Sequence, residues 1–345
     1  MKAAVIRAHG SLDVLETADV PPPSPGRGEV LLNVRTAALN HLDIWIRKGR
    51  PGLQLSFPHV LGSDAAGVVA AVGESVTNVA VGDEVILNPG LNCGRCPHCL
   101  RGQQSECPQF TIMGMGRPGT FAEQTVAPAE NLQSRPPHLT WEESAALPLA
   151  YLTAWRMLHT RAKLQPGETV LIHGIGGGVA LAALQLVKAA GGEAIVTSGT
   201  PEKLERAAKL GAAHTINYRE TKNVAQRVLE ITSGAGVDVA FDAVGAATWP
   251  INFEAVRKGG RIVHCGVTTG AAVETNIATM YWKQLTVLGS TMGSQDDFRQ
   301  LVRTVRATGL RPVVDSVHPL QDARQAQERM EQGEQFGKIV LRVAD

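Results

Sequence analysis

The sequence predicts an α/β protein with two domains, one a doubly wound parallel sheet and the other rich in β-strands. Short apolar strands separated by turn residues fill roughly the first 125 residues. After residue 148, short strands alternate with helical patterns, as in the βαβ units of a parallel sheet. A length of 345 residues fits about two domains. We expect residues 1–150 and 290–345 to form the β-rich domain and residues 151–289 the parallel-sheet domain.

The composition excludes several classes of protein. Hydrophobic residues make up 44% of the chain, and the net charge of +1 gives no electrostatic footprint for nucleic acid or an anionic membrane. No apolar run approaches the roughly 20 residues of a spanning helix. The start of the chain, MKAAVIRAHG, lacks the long apolar stretch of a signal peptide. We therefore expect a cytoplasmic protein that acts on a small molecule and binds neither nucleic acid nor membrane.

The β-rich part is built from apolar strands with one early helix. The strand candidates are AAVIRA, EVLLNVRTAAL, AAGVVAAV and DEVIL, and the runs PPPSPGRG and VGESVTNVAVGD supply turn residues between them. Residues Asn40–Arg47 predict a short helix that ends at Gly49.

The second part reads as successive strand–helix units. The strand candidates are ETVLIH, EAIVTS, HTINY, VDVAFDAVG and RIVHCG, and the helix candidates are LAYLTAWRMLHT, VALAALQLVKAAG, PEKLERAAKLG, KNVAQRVLEIT and TWPINFEAVRKGG. Residues 284–288 predict an edge strand that could pair across a dimer. Beyond residue 290, QDDFRQLVRTVRATG predicts a helix and FGKIVLRV a closing strand.

Four of the five cysteines lie within fifteen residues and predict a metal site. They have the spacing C-x2-C-x2-C-x7-C, at Cys93, Cys96, Cys99 and Cys107. Four thiolates form the closed tetrahedral shell of a structural zinc, which leaves no position for a substrate. An iron–sulfur cluster and free thiols are the alternatives, although the ferredoxin motif has a tighter last gap. We expect one structural Zn²⁺ per chain, and chemistry elsewhere.

A glycine-rich turn predicts dinucleotide binding. Strand ETVLIH runs into Gly174, Gly176, Gly177 and Gly178, and Val179 then opens a helix. Glycines let backbone N–H groups approach a pyrophosphate, and the start of the helix adds a favourable partial charge. The position of this turn, at the first strand-to-helix junction of a βαβ series, gives the motif its weight.

The end of the second strand favours NADP(H) over NAD. An NAD site places Asp or Glu there to bond the ribose hydroxyls, whereas this strand ends at Ser198 without an acid. An acid would repel a 2′-phosphate. Lys203 lies just beyond this strand and Tyr218 ends the third strand, so both could reach that phosphate. The alternative interpretation of Lys203 is a solvated lysine in the first turn of a helix.

Several motifs together resemble the medium-chain dehydrogenase/reductase superfamily across essentially the whole chain. They are residues 62–69 (GSDAAGVV), 81–85 (VGDEV), 152–155 (LTAW) and 174–180, with the cysteine loop. The resemblance implies a GroES-like catalytic domain with a zinc loop at about residues 90–108, and a Rossmann domain. It also implies hydride transfer with NAD(P), an active site in the cleft between the domains, and a homodimer or homotetramer.

The departures from the zinc alcohol dehydrogenases of this superfamily are informative. Those enzymes bind a catalytic zinc through a cysteine, the histidine of a Gly-His-Glu motif and a later cysteine. The matching positions here are Asn40, Ser63 and the segment 146–149, which reads ALPL. The chain therefore resembles the quinone oxidoreductase and enoyl reductase branch, which uses NADPH without catalytic zinc.

The resemblance also assigns candidate roles around the hydride-transfer centre. Asn40 and Thr153 are the candidate catalytic donors to the developing substrate oxygen, and Thr153 could instead contact the nicotinamide carboxamide. His41, at a position that faces the cofactor phosphates in related enzymes, is a candidate cofactor contact. Further candidate cofactor contacts are Gly266, Val267, Thr268, Met292 and Lys338, the last as a partner of the phosphates.

Two other functions remain open at this point. A zinc alcohol dehydrogenase with unusual ligands could use His41, His59 and Asp64. A non-catalytic NADPH-binding protein, like the lens crystallins of the superfamily, is the alternative from another class. The sequence does not identify the substrate.

Overall fold

The computed structural model describes residues 1–50 and 52–344 of the chain. They form two compact units, one from Met1–Leu152 with the segment that begins at Gly293, and the other from Thr153–Met292. We call the first the β-rich unit and the second the Rossmann unit. The predicted α/β fold class, with one parallel sheet and one separate β-rich part, is confirmed.

The described residues form eighteen strands, numbered in chain order. They are β1 Lys2–Ile6, β2 Leu15–Asp19, β3 Glu29–Ala38, β4 His59–Val60, β5 Asp64–Val72, β6 Glu84–Leu87, β7 Gly90–Leu91, β8 Thr111–Ile112, β9 Gln124–Pro128, β10 Leu132–Ser134, β11 Thr169–Ile172, β12 Glu193–Ser198, β13 His214–Asn217, β14 Val237–Asp242, β15 Val256–His264, β16 Thr286–Gly289, β17 Val314–Pro319 and β18 Lys338–Arg342.

The described residues also contain eleven α-helices, and none of these is long and apolar enough to cross a membrane. They are α1 His41–Lys48, α2 Pro97–Leu100, α3 Trp141–Ala146, α4 Pro148–Trp155, α5 Gly178–Ala189, α6 Pro201–Lys209, α7 Val224–Ile231, α8 Trp249–Ala255, α9 Ile277–Trp282, α10 Gln295–Thr308 and α11 Ala323–Glu331.

The β-rich unit is organised around the long strand β3. Its main sheet has the order β10-β6-β5-β3-β18-β17, and β9 also pairs with β3. Residues Thr36, Ala37 and Ala38 at the end of β3 lie between Ala66, Ala65 and Asp64 of β5 and residues 342, 341 and 340 of β18. This register brings the start of β5 and the start of β18 to the end of β3, where α1 begins.

Close backbone approach fixes the centre of this sheet. A Cβ placed on Gly67 of β5 would lie 2.2 Å from the carbonyl oxygen of Asn33 in β3. Only glycine fits at such a distance, so the β3–β5 pairing depends on this residue.

Helix α1 is where the sequence predicted it. Asn40 caps its first turn, and Gly49, with φ of 79°, ends it. The conformation at Gly49 favours glycine because a side chain is strained at positive φ.

The Rossmann unit contains one six-stranded sheet in the order β13-β12-β11-β14-β15-β16, with every neighbouring pair parallel. Because β11 comes first in the chain, the direction of strand addition reverses between β11 and β14. Such a switch point, outside the carboxyl ends of the strands, is where ligands bind in doubly wound sheets.

Two boundaries in this unit differ from the sequence prediction. The predicted helix over residues 248–260 ends at Ala255, because Val256 already pairs with Val237 as the start of β15. The predicted helix over residues 149–160 changes to a π-helix at Arg156, which runs to Arg161. Strand pairing at Val256 and a local widening of the helix at Arg156 overrode the α-helical pattern at these two places.

Candidate functional site

The glycine-rich turn connects β11 to α5, at the switch point of the Rossmann sheet. Gly174 and Gly176 have φ of 66° and 122°, which a residue with a side chain rarely adopts. Gly177 caps α5, and Gly178 and Val179 form its first turn. The amide of Ile175 donates to the carbonyl oxygen of Thr197 in β12 at 2.8 Å and so holds the turn against the neighbouring strand. This geometry suits a pyrophosphate at the start of the helix.

A buried polar network beneath this turn was not anticipated from the sequence. His173 Nε2 lies 2.9 Å from Asn252 Oδ1, and Asn252 Nδ2 donates to Asp242 Oδ2 at 2.6 Å. Because the Asn252 nitrogen faces Asp242, its oxygen accepts from His173, and the proton of the ring is assigned to Nε2. Burial lowers the pKa of His173 and keeps the ring neutral.

Asp242 connects that network to the next loop. Its Oδ1 accepts the amides of Val244 at 2.7 Å and Gly245 at 3.1 Å, and its Oδ2 also accepts from the hydroxyl of Thr248 at 2.8 Å. The network therefore fixes the carboxyl ends of β11 and β14 to each other. No short sequence pattern predicts it, since Asn252 lies 79 positions beyond His173.

Ser198, a candidate cofactor contact, and Tyr218, a predicted 2′-phosphate residue, are close together at the ends of β12 and β13. The amide of Tyr218 donates to the carbonyl oxygen of Ser198 at 3.1 Å. A Cβ on Gly199 would lie 2.8 Å from the Tyr218 ring and 2.7 Å from Arg219 Nε. Arg219 was missed in the sequence analysis, although a cation beside Tyr218 at a strand end was visible there. Lys203 lies in the first turn of α6.

The candidate nicotinamide contacts follow β15 and end the Rossmann unit. Gly266 has φ of 114°, Val267 is exposed, and the Thr268 hydroxyl donates to the carbonyl oxygen of Val244 at 3.1 Å. The hydroxyl of Thr153 lies 3.8 Å from the sulfur of Met292, and both side chains are buried.

In the β-rich unit, Asn40 is the centre of a buried polar cluster formed with Asp64 of β5 and Lys338 of β18. We call this the Asn40 cluster. Asn40 Nδ2 donates to Asp64 Oδ2 at 2.9 Å and more weakly to the carbonyl oxygen of Ala38 at 3.4 Å. Lys338 Nζ donates to Asn40 Oδ1 at 2.6 Å and to Asp64 Oδ2 at 3.0 Å. Asn40, Asp64 and Lys338 are only 7%, 0% and 3% exposed.

Additional donors satisfy Asp64. Its Oδ1 accepts the backbone N–H of Leu149 at 2.8 Å, so each carboxylate oxygen has a partner. A buried ion pair tolerates its desolvation only when its remaining hydrogen-bonding capacity is met, and this pair meets the condition. The resemblance implies that Lys338 meets a cofactor phosphate, whereas in the structure its ammonium lies inside the β-rich unit against Asp64.

His41 begins α1 beside this cluster. Desolvation by the surrounding protein, and then the charge of Lys338, lower its pKa, although the residue is exposed at the surface. The ring is therefore neutral at physiological pH.

The four clustered cysteines converge as their spacing predicts. Their ligand atoms all lie within 4.8 Å of one another, and neighbouring sulfurs are 3.5, 3.6 and 3.9 Å apart. A tetrahedral zinc with bonds of about 2.3 Å requires sulfur separations of about 3.8 Å. The N–H groups of Arg95 and Cys96 lower the pKa of Cys93 to about 6. Burial raises that of Cys99 to about 12, so this thiol needs an adjacent cation to ionise.

Comparison with known proteins decides the family. Residues 26–137 match the alcohol dehydrogenase GroES-like domain, and residues 178–307 match the zinc-binding dehydrogenase domain. A zinc-type alcohol dehydrogenase-like protein of Schizosaccharomyces pombe is 36% identical over 93% of this chain and 93% of its own length. The chain is a medium-chain dehydrogenase/reductase.

Other relatives of this dehydrogenase/reductase have different activities in their names. A quinone oxidoreductase of Pseudomonas aeruginosa is 35% identical over 84% of this chain and 81% of its own length. A crystal structure of an NAD-dependent alcohol dehydrogenase is 44% identical, with a TM-score of 0.96 over the whole of both chains. The protein is thus an NAD(P)-dependent oxidoreductase, as the sequence predicted. Its substrate and its preferred dinucleotide have to be inferred from its own residues.

Two further side chains of this dehydrogenase/reductase bond to backbone carbonyls. They lie at or near a position where zinc alcohol dehydrogenases have a ligand of the catalytic zinc. Ser63 Oγ donates to Met113 O at 2.8 Å, and His59 Nε2 lies 2.8 Å from Gly114 O. Within residues 1–50 and 52–344, the only group of His, Cys, Asp and Glu side chains in metal-binding reach is the cysteine cluster. The alternative ligand set of His41, His59 and Asp64 is not brought together as a metal site in that range.

The cysteine loop contacts the start of α10 in the same unit. Gln104, between Cys99 and Cys107, bonds through its side chain to the side chain and backbone of Gln295 at 3.5 and 3.3 Å. A zinc ion would therefore stabilise both the loop and the beginning of that helix.

We expect Cys96→Ser to lose the zinc and to destabilise the enzyme. A cost of about 3 kcal/mol, well below the roughly 10–16 kcal/mol of isolated zinc-finger peptides, would lower Tm by roughly 6–12 °C. Metal analysis and calorimetry check this, with Cys265→Ser, in the Rossmann unit, as the control that keeps its zinc. A second equivalent of zinc in the native enzyme would contradict the assignment of a single structural site.

Proposed function

We propose that this enzyme uses NADPH to reduce a small quinone or the carbon–carbon double bond of an α,β-unsaturated carbonyl, without a catalytic metal. The Asn40 cluster is the observation that carries the proposal. Asn40 and Ser63 stand where zinc alcohol dehydrogenases have ligands, and an ammonium rather than a ligand group faces Asp64. NADPH, when bound, supplies the hydride.

Lys338 is the donor best suited to the developing negative charge on the acceptor oxygen. Both N–H groups of the Asn40 amide are directed at Asp64 and Ala38, so the catalytic role proposed for Asn40 passes to its neighbour. An ammonium has three N–H groups, and among the described residues Lys338 uses two, on Asn40 and Asp64. The third is available to a substrate oxygen. Asn40 and Asp64 then orient the ammonium, and a charged donor in a buried setting stabilises an oxyanion strongly.

The cofactor preference proposed is NADPH. The end of β12 has no acid, and Arg219 packs beside Tyr218 and Gly199, where a 2′-phosphate would lie. Lys203 adds a second cation in the first turn of α6. On the Rossmann unit, Thr153 would contact the nicotinamide carboxamide or the substrate oxygen, and the loop at 266–268 would border the nicotinamide.

NAD-dependent alcohol oxidation is the second candidate, because the 44%-identical solved structure has that name. It requires a different way to ionise the alcohol, since Asn40 and Ser63 are poor zinc ligands. The two functions differ in acceptor, cofactor and response to a chelator, and one set of assays separates them.

We also propose that the partner of this enzyme is a second copy of its own chain. The edge strand β16 pairs with β15 on one side and with no strand of the described chain on the other. Three apolar side chains of the adjacent α9 are more than half exposed, at 67% for Ile277, 65% for Tyr281 and 74% for Trp282. An unpaired edge flanked by apolar residues suits pairing with an identical edge about a twofold axis.

The acceptor is tested by following NADPH consumption with 1,4-benzoquinone, a simple enone and a simple aldehyde, with and without a chelator. We expect the quinone or the enone to be reduced at a rate that a chelator leaves unchanged over the time of the assay. Selective aldehyde reduction that the chelator abolishes would support the alcohol dehydrogenase instead.

In the same assay, Lys338→Met should lower kcat/KM by roughly 100- to 1,000-fold, the usual effect of removing one oxyanion donor. Lys258→Met, an exposed lysine of β15, is the matched control. Because Lys338→Met leaves Asp64 buried without its counter-ion, the double variant Lys338→Met/Asp64→Asn restores neutrality. A folded double variant as fast as the native enzyme would rule out Lys338 as the donor.

Arg219→Gln should raise KM for NADPH about tenfold and leave KM for NADH nearly unchanged, since a charge-assisted hydrogen bond contributes at least about 1.5 kcal/mol. Steady-state kinetics with both dinucleotides measure this. Arg227→Gln, on the exposed face of α7, is the control. Equal changes for NADPH and NADH would show that Arg219 does not bind the 2′-phosphate.

Trp282→Asp should convert the native oligomer to a smaller species in sedimentation velocity, because it places a charge on the proposed interface. Leu100→Asp changes an equally exposed leucine on the cysteine loop, and its oligomeric state should stay native. A native enzyme that sediments as a monomer at all accessible concentrations would contradict the proposed pairing.

A further inference from the structure

Asp43 of α1 is a buried acid with only one satisfied oxygen. It is 0% exposed, and its Oδ2 accepts the backbone N–H of Asn40 at 2.7 Å. Its Oδ1 has no hydrogen-bond partner among the described residues, although the N–H of Gly62 is close enough to the carboxyl to lower its pKa. A buried carboxylate normally accepts several hydrogen bonds, so this one is poorly prepared to carry a charge.

The charged groups around Asp43 do not balance if it ionises. Asp64 of β5 and Lys338 of β18 face it from other elements. Lys338 bonds directly to Asp64, and this pair is already neutral. A charge on Asp43 would therefore make the buried set negative by one unit.

The remaining basic groups of α1 do not compensate. Arg47, one turn further along, directs its guanidinium to Gly10, Gln327 and Glu331. Lys48 is exposed and pairs with the same Glu331. His41 is neutral because its pKa is lowered. Among the described residues, Lys338 is thus the cation that faces both buried carboxyl groups, those of Asp43 and Asp64.

We propose that Asp43 is the proton-holding group that sets the net charge of the Asn40 cluster, and that the enzyme reduces its acceptor while Asp43 is neutral. The part of this proposal that concerns reduction of the acceptor rests on the proposed function. In the reduction, a C–H bond of the bound NADPH breaks and its electron pair forms a C–H bond on the acceptor. The acceptor oxygen gains negative charge beside Lys338 and then takes a proton from water, leaving NADP⁺. Asp43 is a positioning residue in this scheme, since it acts through the charge of the Asn40 cluster.

The titration range follows from the same contacts. Burial raises the pKa of Asp43 to about 7, Asp64 acts in the same direction, and Lys338 opposes it. An anion at Asp43 would compete with the acceptor oxygen for the field of Lys338. The rate of reduction should therefore fall as the pH rises through neutrality.

Folding stability has the same sign. The folded state holds a proton on Asp43 between the ordinary pKa of 3.8 and about 7, whereas the unfolded chain does not. Protonation of Asp43 thus favours the folded state below this window, and that contribution is lost as the pH rises through it.

The test is the pH profile of kcat/KM for the acceptor at saturating NADPH. The measurements run from roughly pH 5.5 to pH 9, so that they bracket the expected titration of Asp43. We expect the native rate to fall about tenfold with a midpoint near neutrality and the Asp43→Asn profile to be flat there. Asp64→Asn leaves Lys338 to stabilise the Asp43 anion, so its midpoint should move to lower pH. Asp13→Asn, an exposed acid, is the control and should keep the native midpoint.

A substrate-free measurement separates this inference from the proposed function. Difference infrared spectra of the native enzyme should show a protonated carboxyl at pH 6 that is lost by about pH 8 and is missing in Asp43→Asn. If no acceptor is reduced, the proposed function fails, yet this band still decides whether Asp43 holds the proton. If Asp43→Asn does not fold, the native band and the Asp64→Asn shift decide the matter. A native pH step that persists in folded Asp43→Asn, or a carboxyl band unaffected by that change, overturns the inference.

Discussion

The buried ion pair between Lys338 and Asp64 is the interaction on which the β-rich unit's site depends. Both groups are almost completely withdrawn from water, where an isolated charge would cost several kcal/mol. The pair is tolerated because Asn40 bridges it and the Leu149 amide satisfies the remaining oxygen. This requirement ties the end of β3, the start of β5 and the start of β18 to one position.

The same constraint explains the character of the site. Metal catalysis in this superfamily requires ligands that release protons and converge on an open coordination position. Here a fixed ammonium stands against the carboxylate, with an amide as its second acceptor. The positive charge in this site is therefore the ammonium of Lys338, which acts as a hydrogen-bond donor, whereas in the zinc enzymes it is a metal ion. Asp43 is buried near this pair, and its Oδ1 has no hydrogen-bond partner among the described residues.

The Rossmann unit also buries a carboxyl group, that of Asp242, and surrounds it with neutral hydrogen-bond donors. Asp242 accepts four hydrogen bonds, from Val244, Gly245, Thr248 and Asn252, and all four donors are neutral groups. His173 stays neutral at the other end of the chain of hydrogen bonds. The carboxyl ends of β11 and β14 are thereby held together directly beneath the turn that would bind the pyrophosphate, and the turn is preorganised.

The sequence by itself determined the fold class, the strand–helix alternation, the glycine turn and the cysteine cluster, because each depends on local spacing or on backbone freedom. It also located Asn40 and Ser63 as departures from a zinc site. Only the tertiary structure decided that Lys338 faces Asp64, that Arg219 lies beside Gly199, and that Oδ1 of Asp43 has no hydrogen-bond partner among the described residues. These contacts join residues far apart in the chain, and their charges are set by burial, which no linear pattern encodes.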